Sequence, residues 1–299
     1  MLLGVENPSS ILILGIEKQE ISMKKFLVPT DFSNTSRNAL HYALQLAKKL
    51  EAEAIEIVHV FLPETAGEAD FIPPVAQLME SRKEMLQTFV KESLKEEEPL
   101  PCPITHEVLV GFPGDELAQA SEDYDMVVMG TTGQTGFLEK IFGSVSSSVS
   151  QRAHCPVLLV PHDAHFQTIR HIIYASNYES ADKEMVDKLA EFNSPFKAHV
   201  HFVHVKRHKD IPVGFTQVKE EIFRELFKTG EPAFAFDMAE VENDDIVEGL
   251  SQYAEELKAD LAVMVTRHRS IWQSILHHSQ TKRMALATHI PLMVLHLNG

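Results

Sequence analysis

The chain has 299 residues, of which 44% are hydrophobic and 23% charged, and this composition excludes a disordered, collagenous or coiled-coil protein. The length predicts two domains. A net charge of -16 makes DNA and anionic membrane surfaces poor partners, and two cysteines are too few for a disulfide framework. Because no apolar run is long enough to span a bilayer, we expect a reduced, soluble, cytoplasmic protein.

Residues 1–22 do not share the pattern of the rest of the chain. Their apolar part, Ile11 to Ile16, is short and lacks the basic region and the cleavage site of a signal peptide. Met23 then opens the segment MKKFLVPTDFS, which looks like a natural start. We expect residues 1–22 to be an extension outside the fold; the alternative is an extra edge strand at 11–16.

The pattern of apolar and polar residues in 23–162 predicts strands that alternate with helices. The strands are expected at 25–29, 54–60, 104–110, 125–130 and 156–160. Between them, helical periodicity and capping residues predict four helices. The first starts after Asp31 and Ser33, the second covers 75–95, the third is capped by Asp115 and ends at about 122, and the fourth covers 144–153. This alternation predicts a parallel sheet covered by helices on both faces.

The same order then recurs in residues 166–299. Strands are expected at 171–175, 199–205, 233–241, 259–266 and 291–297, and helices at 180–193, at 217–228 and after Asp244 or Asp245. Residues 125–160 align without gaps with 260–295, so that Asp125 matches Asp260 and Pro156 matches Pro291. The chain is therefore predicted to be a tandem duplication.

The last strands of the two halves are nearly continuous apolar runs. Val157–Val160 and Leu292–Leu295 are expected at sheet edges, and an unpaired apolar edge favours association. We expect these strands to pair within the chain as an intramolecular pseudo-dimer; a homo-oligomer is also possible.

A glycine pattern in the first half indicates an anion site. Gly130 closes the fourth strand, Gly133 follows three residues later, and Gly143-Ser144 opens the next helix. Glycines let the backbone approach a phosphate, and the free amides of a helix N-terminus favour its charge. The hydroxyls of Ser144 and Ser146 could donate further hydrogen bonds. Asp31 is expected at the same sheet edge, on the sugar or base side of a nucleotide, since a carboxylate repels phosphate.

Together, KFLVPTDFS, the His59-Val60 strand end and the glycine pattern resemble the universal stress protein family over residues 23–299. The resemblance implies two tandem flavodoxin-like (Rossmann-like) α/β domains, 23–162 and 166–299, each with a five-stranded parallel sheet. It also implies bound ATP, with Mg²⁺ accompanying the triphosphate. By the same resemblance, the adenosine would lie among Pro29, Thr30, Asp31 and Val60. The ribose and phosphates would lie among Met129, Gly130, Thr132, Gly133, Gly143, Ser144, Val145 and Ser146.

The second half departs from this motif. Gly130, Gly133 and Gly143 are replaced by Val265, His268 and His278, Asp31 corresponds to Asn177, and only Ser279 keeps its type. The histidines would fill the phosphate space, and Val265 would not adopt a positive backbone angle cheaply. We therefore expect this half to be degenerate and not to bind ATP in the same way.

Other candidate chemistries are weaker. His199 and His201 lie on one strand face, but nothing in their spacing brings a third ligand to them, and no metal site is predicted. Arg267, Arg269, Lys282 and Arg283 flank the degenerate loop and are interpreted as a solvated basic face; the alternative is that they bind another anion. Neither Cys102 nor Cys155 has the His–Asp setting of a nucleophile.

These features favour an ATP-binding stress-response or signalling module with slow or absent hydrolysis. The chain has no Gly-x4-Gly-Lys-Ser/Thr run of a P-loop ATPase. An adenine nucleotide hydrolase remains an alternative, because Glu139 and Lys140 follow Gly133 in the loop. A dimerisation scaffold is the other alternative.

Overall fold

The computed structural model describes residues 23–63, 74–95, 97, 99–131, 143–175, 183–207, 220, 223–224, 234–266 and 290–296. The possible strand at 11–16 therefore lies outside the described residues, as does nearly all of the helix expected at 217–228. The other predicted strands and helices are present, with small differences at their ends.

The first half contains five strands and four helices among its described residues. The strands are β1 Lys25–Pro29, β2 Ala54–Phe61, β3 Ile104–Val110, β4 Met126–Gly130 and β5 Val157–Val160. The helices are α1 Asn34–Leu50, α2 Val75–Leu94, α3 Pro113–Ala120 and α4 Ser144–Arg152, and a 3-10 turn covers Ser121–Asp123.

The second half repeats the five strands. They are β6 His171–Ala175, β7 His199–Lys206, β8 Phe236–Glu242, β9 Leu261–Thr266 and β10 Leu292–His296. Its described helices of more than one turn are α5 Lys183–Asn193 and α6 Ile246–Leu257. As expected, Asp245 caps α6, because its carboxylate accepts hydrogen bonds from the amides of Val247 and Glu248.

All ten strands form one sheet, in the order β3-β2-β1-β4-β5-β10-β9-β6-β7-β8. Pairing is parallel within each half, and β5 pairs with β10 in antiparallel register, with Met293 opposite Leu158. The predicted contact between the two last strands is confirmed. Helices α1, α2 and α5 cover one face of the sheet, and α3, α4 and α6 cover the other.

The matched aspartates of the duplication do the same work in each half. The Asp125 carboxylate accepts hydrogen bonds from the amides of Lys24 and Lys25, at 2.9 Å each, where β1 begins. The Asp260 carboxylate accepts from the amides of Arg170 and His171, at 2.7 and 2.9 Å, where β6 begins. One carboxylate therefore fixes the start of the first strand in both halves.

The prediction that Asp115 caps the third helix is wrong. Helix α3 begins two residues earlier, at Pro113, and its N-cap is Phe112. Proline suits the first helical position because its fixed φ angle is helical and its missing N–H has no helical partner there. Asp115 lies in the first turn and forms an ion pair with Arg152 of α4, at 2.7 Å.

Candidate functional site

The strand order places a crevice between β1 and β4. From β1 the chain runs outward to β2 and β3, and it then returns to β4 on the other side of β1. In open α/β sheets, ligands bind at such a reversal, outside the carboxyl ends of the strands. The loop after β1 and the N-terminus of α4 flank this crevice.

The loop after β1 is fixed by its own side chains. The Thr30 hydroxyl oxygen accepts a hydrogen bond from the Phe32 amide at 3.0 Å, and the Asp31 carboxylate accepts one from the Ser33 amide at 3.1 Å. These bonds hold Phe32 at a φ of 67°, in the left-handed region that bulky residues rarely adopt. Ser33 then caps α1, since its side chain accepts from the Ser36 amide. Asp31 is therefore held, half-buried, at the end of β1.

His59, near the end of β2, contacts this loop through a hydrogen bond to Thr30 and through packing on Phe32. Its Nδ1 lies 2.8 Å from the Thr30 carbonyl oxygen, so that nitrogen carries the proton and donates. Burial lowers the pKa of His59, which favours the neutral ring. The Phe32 ring packs on it, with 4.2 Å between the ring centroids. The sequence marked His59 only as part of a strand-end pattern, because the bond to Thr30 joins residues far apart in the chain.

The other side of the crevice is the start of α4. Gly143 is the N-cap, with a φ of -64° and a ψ of 143°, and no side chain caps the helix. The Gly143 amide donates to the Thr131 carbonyl at 2.9 Å, which ties the helix start to the end of β4. The first-turn amides of Ser144, Val145 and Ser146 have no partner within the helix, as at any helix N-terminus. This end of α4 therefore offers N–H donors to an anion.

Gly130 is required by packing. A Cβ atom at Gly130 would lie 2.7 Å from Cγ2 of Thr35, closer than such atoms approach, and 3.3 Å from the Thr35 backbone, which is a tight contact. Gly130 is not among the residues with positive φ, and neither is Gly143. The expectation that Val265 fails at this position because of a positive backbone angle is therefore wrong. What a side chain would disturb at Gly130 is the contact of β4 with α1.

Ser146 has a partner inside the protein. Its buried hydroxyl donates to the Gly130 carbonyl oxygen at 2.8 Å. That bond fixes α4 against β4, so the Ser146 hydroxyl proton is already used. Ser144, in contrast, is exposed on the first turn of the helix.

The remaining predicted site residues divide into two groups. Pro29, Val60 and Met129 are buried near the ends of β1, β2 and β4, and Val145 packs partly against the same core as Val60 and Met129. Thr132 and Gly133 lie outside the described residues, as do Glu139 and Lys140. In the second half, Asn177, His268, His278 and Ser279 also lie outside them.

The two cysteines are poor nucleophiles. Burial raises the pKa of the Cys155 thiol to about 12, and the nearby Asp125 carboxylate adds to that effect. Burial also raises the pKa of Cys102. Both thiols therefore stay protonated near neutral pH.

The fold is a doubled flavodoxin-like α/β sheet, and comparison with known proteins identifies its family. The model of the Universal stress protein family matches residues 23–161 and again residues 168–296. The chain therefore belongs to the universal stress protein family, as a tandem member.

Individual relatives agree with this assignment. Universal stress protein MJ0531 of Methanocaldococcus jannaschii is 35% identical over 150 residues, which cover 48% of this chain and 86% of that protein. Universal stress protein MJ0577 of the same organism is 31% identical over 157 residues, 47% of this chain and 96% of that protein. A crystal structure of a universal stress protein from Archaeoglobus fulgidus has a TM-score of 0.71 and 20% identity, and covers 92% of this chain and 97% of that one. This last similarity concerns the fold.

One negative finding concerns membranes. Within the described ranges, none of the helices is both long and apolar enough to cross a bilayer.

Proposed function

We propose that the first half binds ATP, with Mg²⁺, in the crevice between β1 and β4, and acts as a stress-response or signalling module that hydrolyses the nucleotide slowly or not at all. The observation that carries the proposal is the position of the crevice. The fixed Asp31 loop follows β1, and the uncapped start of α4 is tied to the end of β4, so both lie at the carboxyl ends of the two strands between which the strand order reverses.

Each side of the crevice suits one part of the nucleotide. The amides of Ser144, Val145 and Ser146 and the exposed Ser144 hydroxyl would hold phosphate oxygens. Asp31 would accept hydrogen bonds from the ribose or the base, near the apolar side chains of Pro29 and Val60. Thr30 would position Asp31, and Gly130 and Ser146 would position the helix start. Met129 would pack beneath it, and Thr132 and Gly133 would complete the phosphate loop.

Location and metal follow from this assignment. A triphosphate carries its divalent cation with it, so Mg²⁺ would be held mainly by phosphate oxygens. We also propose a cytoplasmic location, where ATP is available and the free thiols of Cys102 and Cys155 stay reduced.

The test is calorimetry of ATP binding with Mg²⁺ to the wild type and to Gly143→Val. The backbone angles of Gly143 are open to any residue, so the variant should fold. A branched side chain against the phosphates should weaken binding about a hundredfold, close to 3 kcal/mol. Unchanged affinity would contradict the assignment.

The matched control is Thr88→Val, which places a valine on the exposed face of α2. It should bind ATP as the wild type does. The same samples report turnover by release of phosphate, and a rate typical of a dedicated ATPase would favour the hydrolase alternative.

A further inference from the structure

A second group of chemically active side chains lies in the second half, at the amino ends of β7 and β8. His199 and His201 share one face of β7, and Asp237 lies on the neighbouring strand β8, directly opposite His201. His199 Nε2 lies 3.0 Å from one Asp237 carboxylate oxygen, and His201 Nδ1 lies 2.9 Å from the other. One ligand atom from each residue can be chosen so that all three lie within 4.8 Å of one another.

The cluster is partly open to solvent. The side chain of His201 is buried, whereas 38% of the His199 side chain and 50% of the Asp237 side chain are exposed. An ion from solvent could therefore reach the three side chains directly. The buried ring of His201 would hold such an ion at a fixed position.

A third histidine orients His201. His171 Nδ1 lies 3.1 Å from His201 Nε2, on the side away from Asp237. When Nδ1 of His201 is a metal ligand, the ring proton of His201 must reside on Nε2. His171 Nδ1 can then accept a hydrogen bond from that N–H group. Metal-binding histidines usually donate their second nitrogen to such a partner, which fixes the ring and its tautomer.

The cluster is not part of the scaffold that the two halves share. In the first half, the strand positions that correspond to His199 and His201 hold Ala54 and Glu56, and the residue opposite Glu56 is Thr105. Sheet stability in this fold therefore does not require two histidines and an aspartate here.

We propose that His199, His201 and Asp237 bind a divalent transition metal, zinc, with water as the fourth ligand. Two imidazole nitrogens and one carboxylate oxygen match the ligands that zinc prefers, whereas Mg²⁺ and Ca²⁺ prefer oxygen alone. Three protein ligands and an open position can complete a tetrahedron. The site lies at the amino ends of the strands in the second half, so it is separate from the crevice at the carboxyl ends of β1 and β4.

The sequence shows the two histidines but not the third ligand. Asp237 is 36 residues from His201 in the chain. Only the register between β7 and β8 brings it opposite, and that register is not visible in the spacing of the residues.

The test uses the full chain, stripped of metal with a chelator and titrated with Zn²⁺ by calorimetry. Co²⁺, whose visible spectrum reports tetrahedral ligands, serves as a second probe. His199→Gln and Asp237→Asn change the more exposed ligands and should fold, as checked by thermal unfolding. Each should remove one bound Zn²⁺ per chain and the Co²⁺ bands of that site.

His204→Gln is the matched control, because His204 is on β7 but on the opposite face of the sheet. This variant should still bind the Zn²⁺ that His199→Gln and Asp237→Asn lose. His171→Gln should weaken zinc binding about tenfold or more without removing a ligand. Failure of the wild type to bind Zn²⁺, or equal zinc binding in wild type, His199→Gln and Asp237→Asn, would overturn the proposal.

Discussion

At the scale of single residues, the glycines near the crevice differ in what they do. Gly130 leaves room for Thr35 of α1, whereas Gly143 begins α4 with backbone angles that any residue adopts. A motif with three glycines suggests one common reason, namely bare backbone around a phosphate. The structure separates a packing requirement at Gly130 from an expected ligand requirement at Gly143.

This difference predicts that Gly130→Ala destabilises the fold. The new Cβ would have to displace Thr35, and overpacking of this kind costs about 1–3 kcal/mol. Urea unfolding of the nucleotide-free protein measures the loss. Gly143→Val should show a much smaller loss, and equal destabilisation of the two variants would contradict the distinction.

At the scale of elements, the ends of strands and helices are fixed by a few polar side chains. Asp125 and Asp260 each bind two backbone amides at the start of the first strand of their half. Asp125 and Asp260 occupy matching positions of the duplicated sequence, and their shared role at the strand start explains why both positions hold aspartate. Charged acceptors make stronger hydrogen bonds than neutral ones, and the donors here are the backbone amides of the first residue of β1 and of β6 and of the residue before each.

We therefore expect Asp125→Asn and Asp260→Asn to destabilise the protein by about 1–3 kcal/mol each. An asparagine oxygen is a weaker acceptor, and its NH2 group would face the amides if it turned. Thermal or urea unfolding gives the values, with Asp123→Asn, in the 3-10 turn beside β4, as the control. No loss in either variant would show that the strand starts are held by other contacts.

At the scale of the whole molecule, β5 and β10 join the halves into one sheet, and helices pack across the junction. Glu191 of α5 belongs to the second half, yet its carboxyl lies near Asp125 and the Met23 amide of the first. Its Oε1 atom is buried without a hydrogen-bond partner in the part of the chain that the structure describes. Burial, and then the negative charge of Asp125, raise the pKa of Glu191 to about 7.

This pKa sets a pH dependence whose sign can be worked out. An unfolded glutamate ionises near pH 4.5, whereas the folded one ionises near 7, so the folded state holds the proton more tightly. The stabilisation due to this proton is complete below the unfolded pKa and is lost as the pH rises through 7. Above pH 7, the folded protein must keep an ionised carboxylate in a partly buried place.

Glu191→Gln should therefore raise the Tm more at pH 8 than at pH 5, by about 2 °C after allowance for the part of the side chain that solvent screens. Thermal unfolding at the two pH values measures the difference. Glu84→Gln, on the exposed face of α2, is the control. The same shift at pH 5 and pH 8 would contradict this account.

The sequence predicted the fold well, because strands and helices here follow local signals. Lys25–Pro29 and His171–Ala175 are short apolar runs bounded by polar residues, and both strands have the predicted bounds. Ser33 and Asp245 are capping residues by type, and both cap the helices that follow them.

Contacts between distant parts of the chain were harder to predict. The register of β7 with β8, the contact of Gly130 with Thr35 and the bond from His59 to Thr30 each join separate elements. Local periodicity contains no information about such pairs. The start of α3 differs from the prediction for a local reason, because Pro113 occupies the first helical position and the helix begins there, two residues before Asp115.

The central claim is that ATP binds in the first half and only there. Equilibrium dialysis with labelled ATP and Mg²⁺ tests it most directly, because it counts sites per chain. We expect one tightly bound nucleotide per chain, lost when Asp31→Ala and Gly143→Val are combined, with the unfolding transition retained. Two equivalent sites, none at all, or one site that survives the double variant would contradict the account.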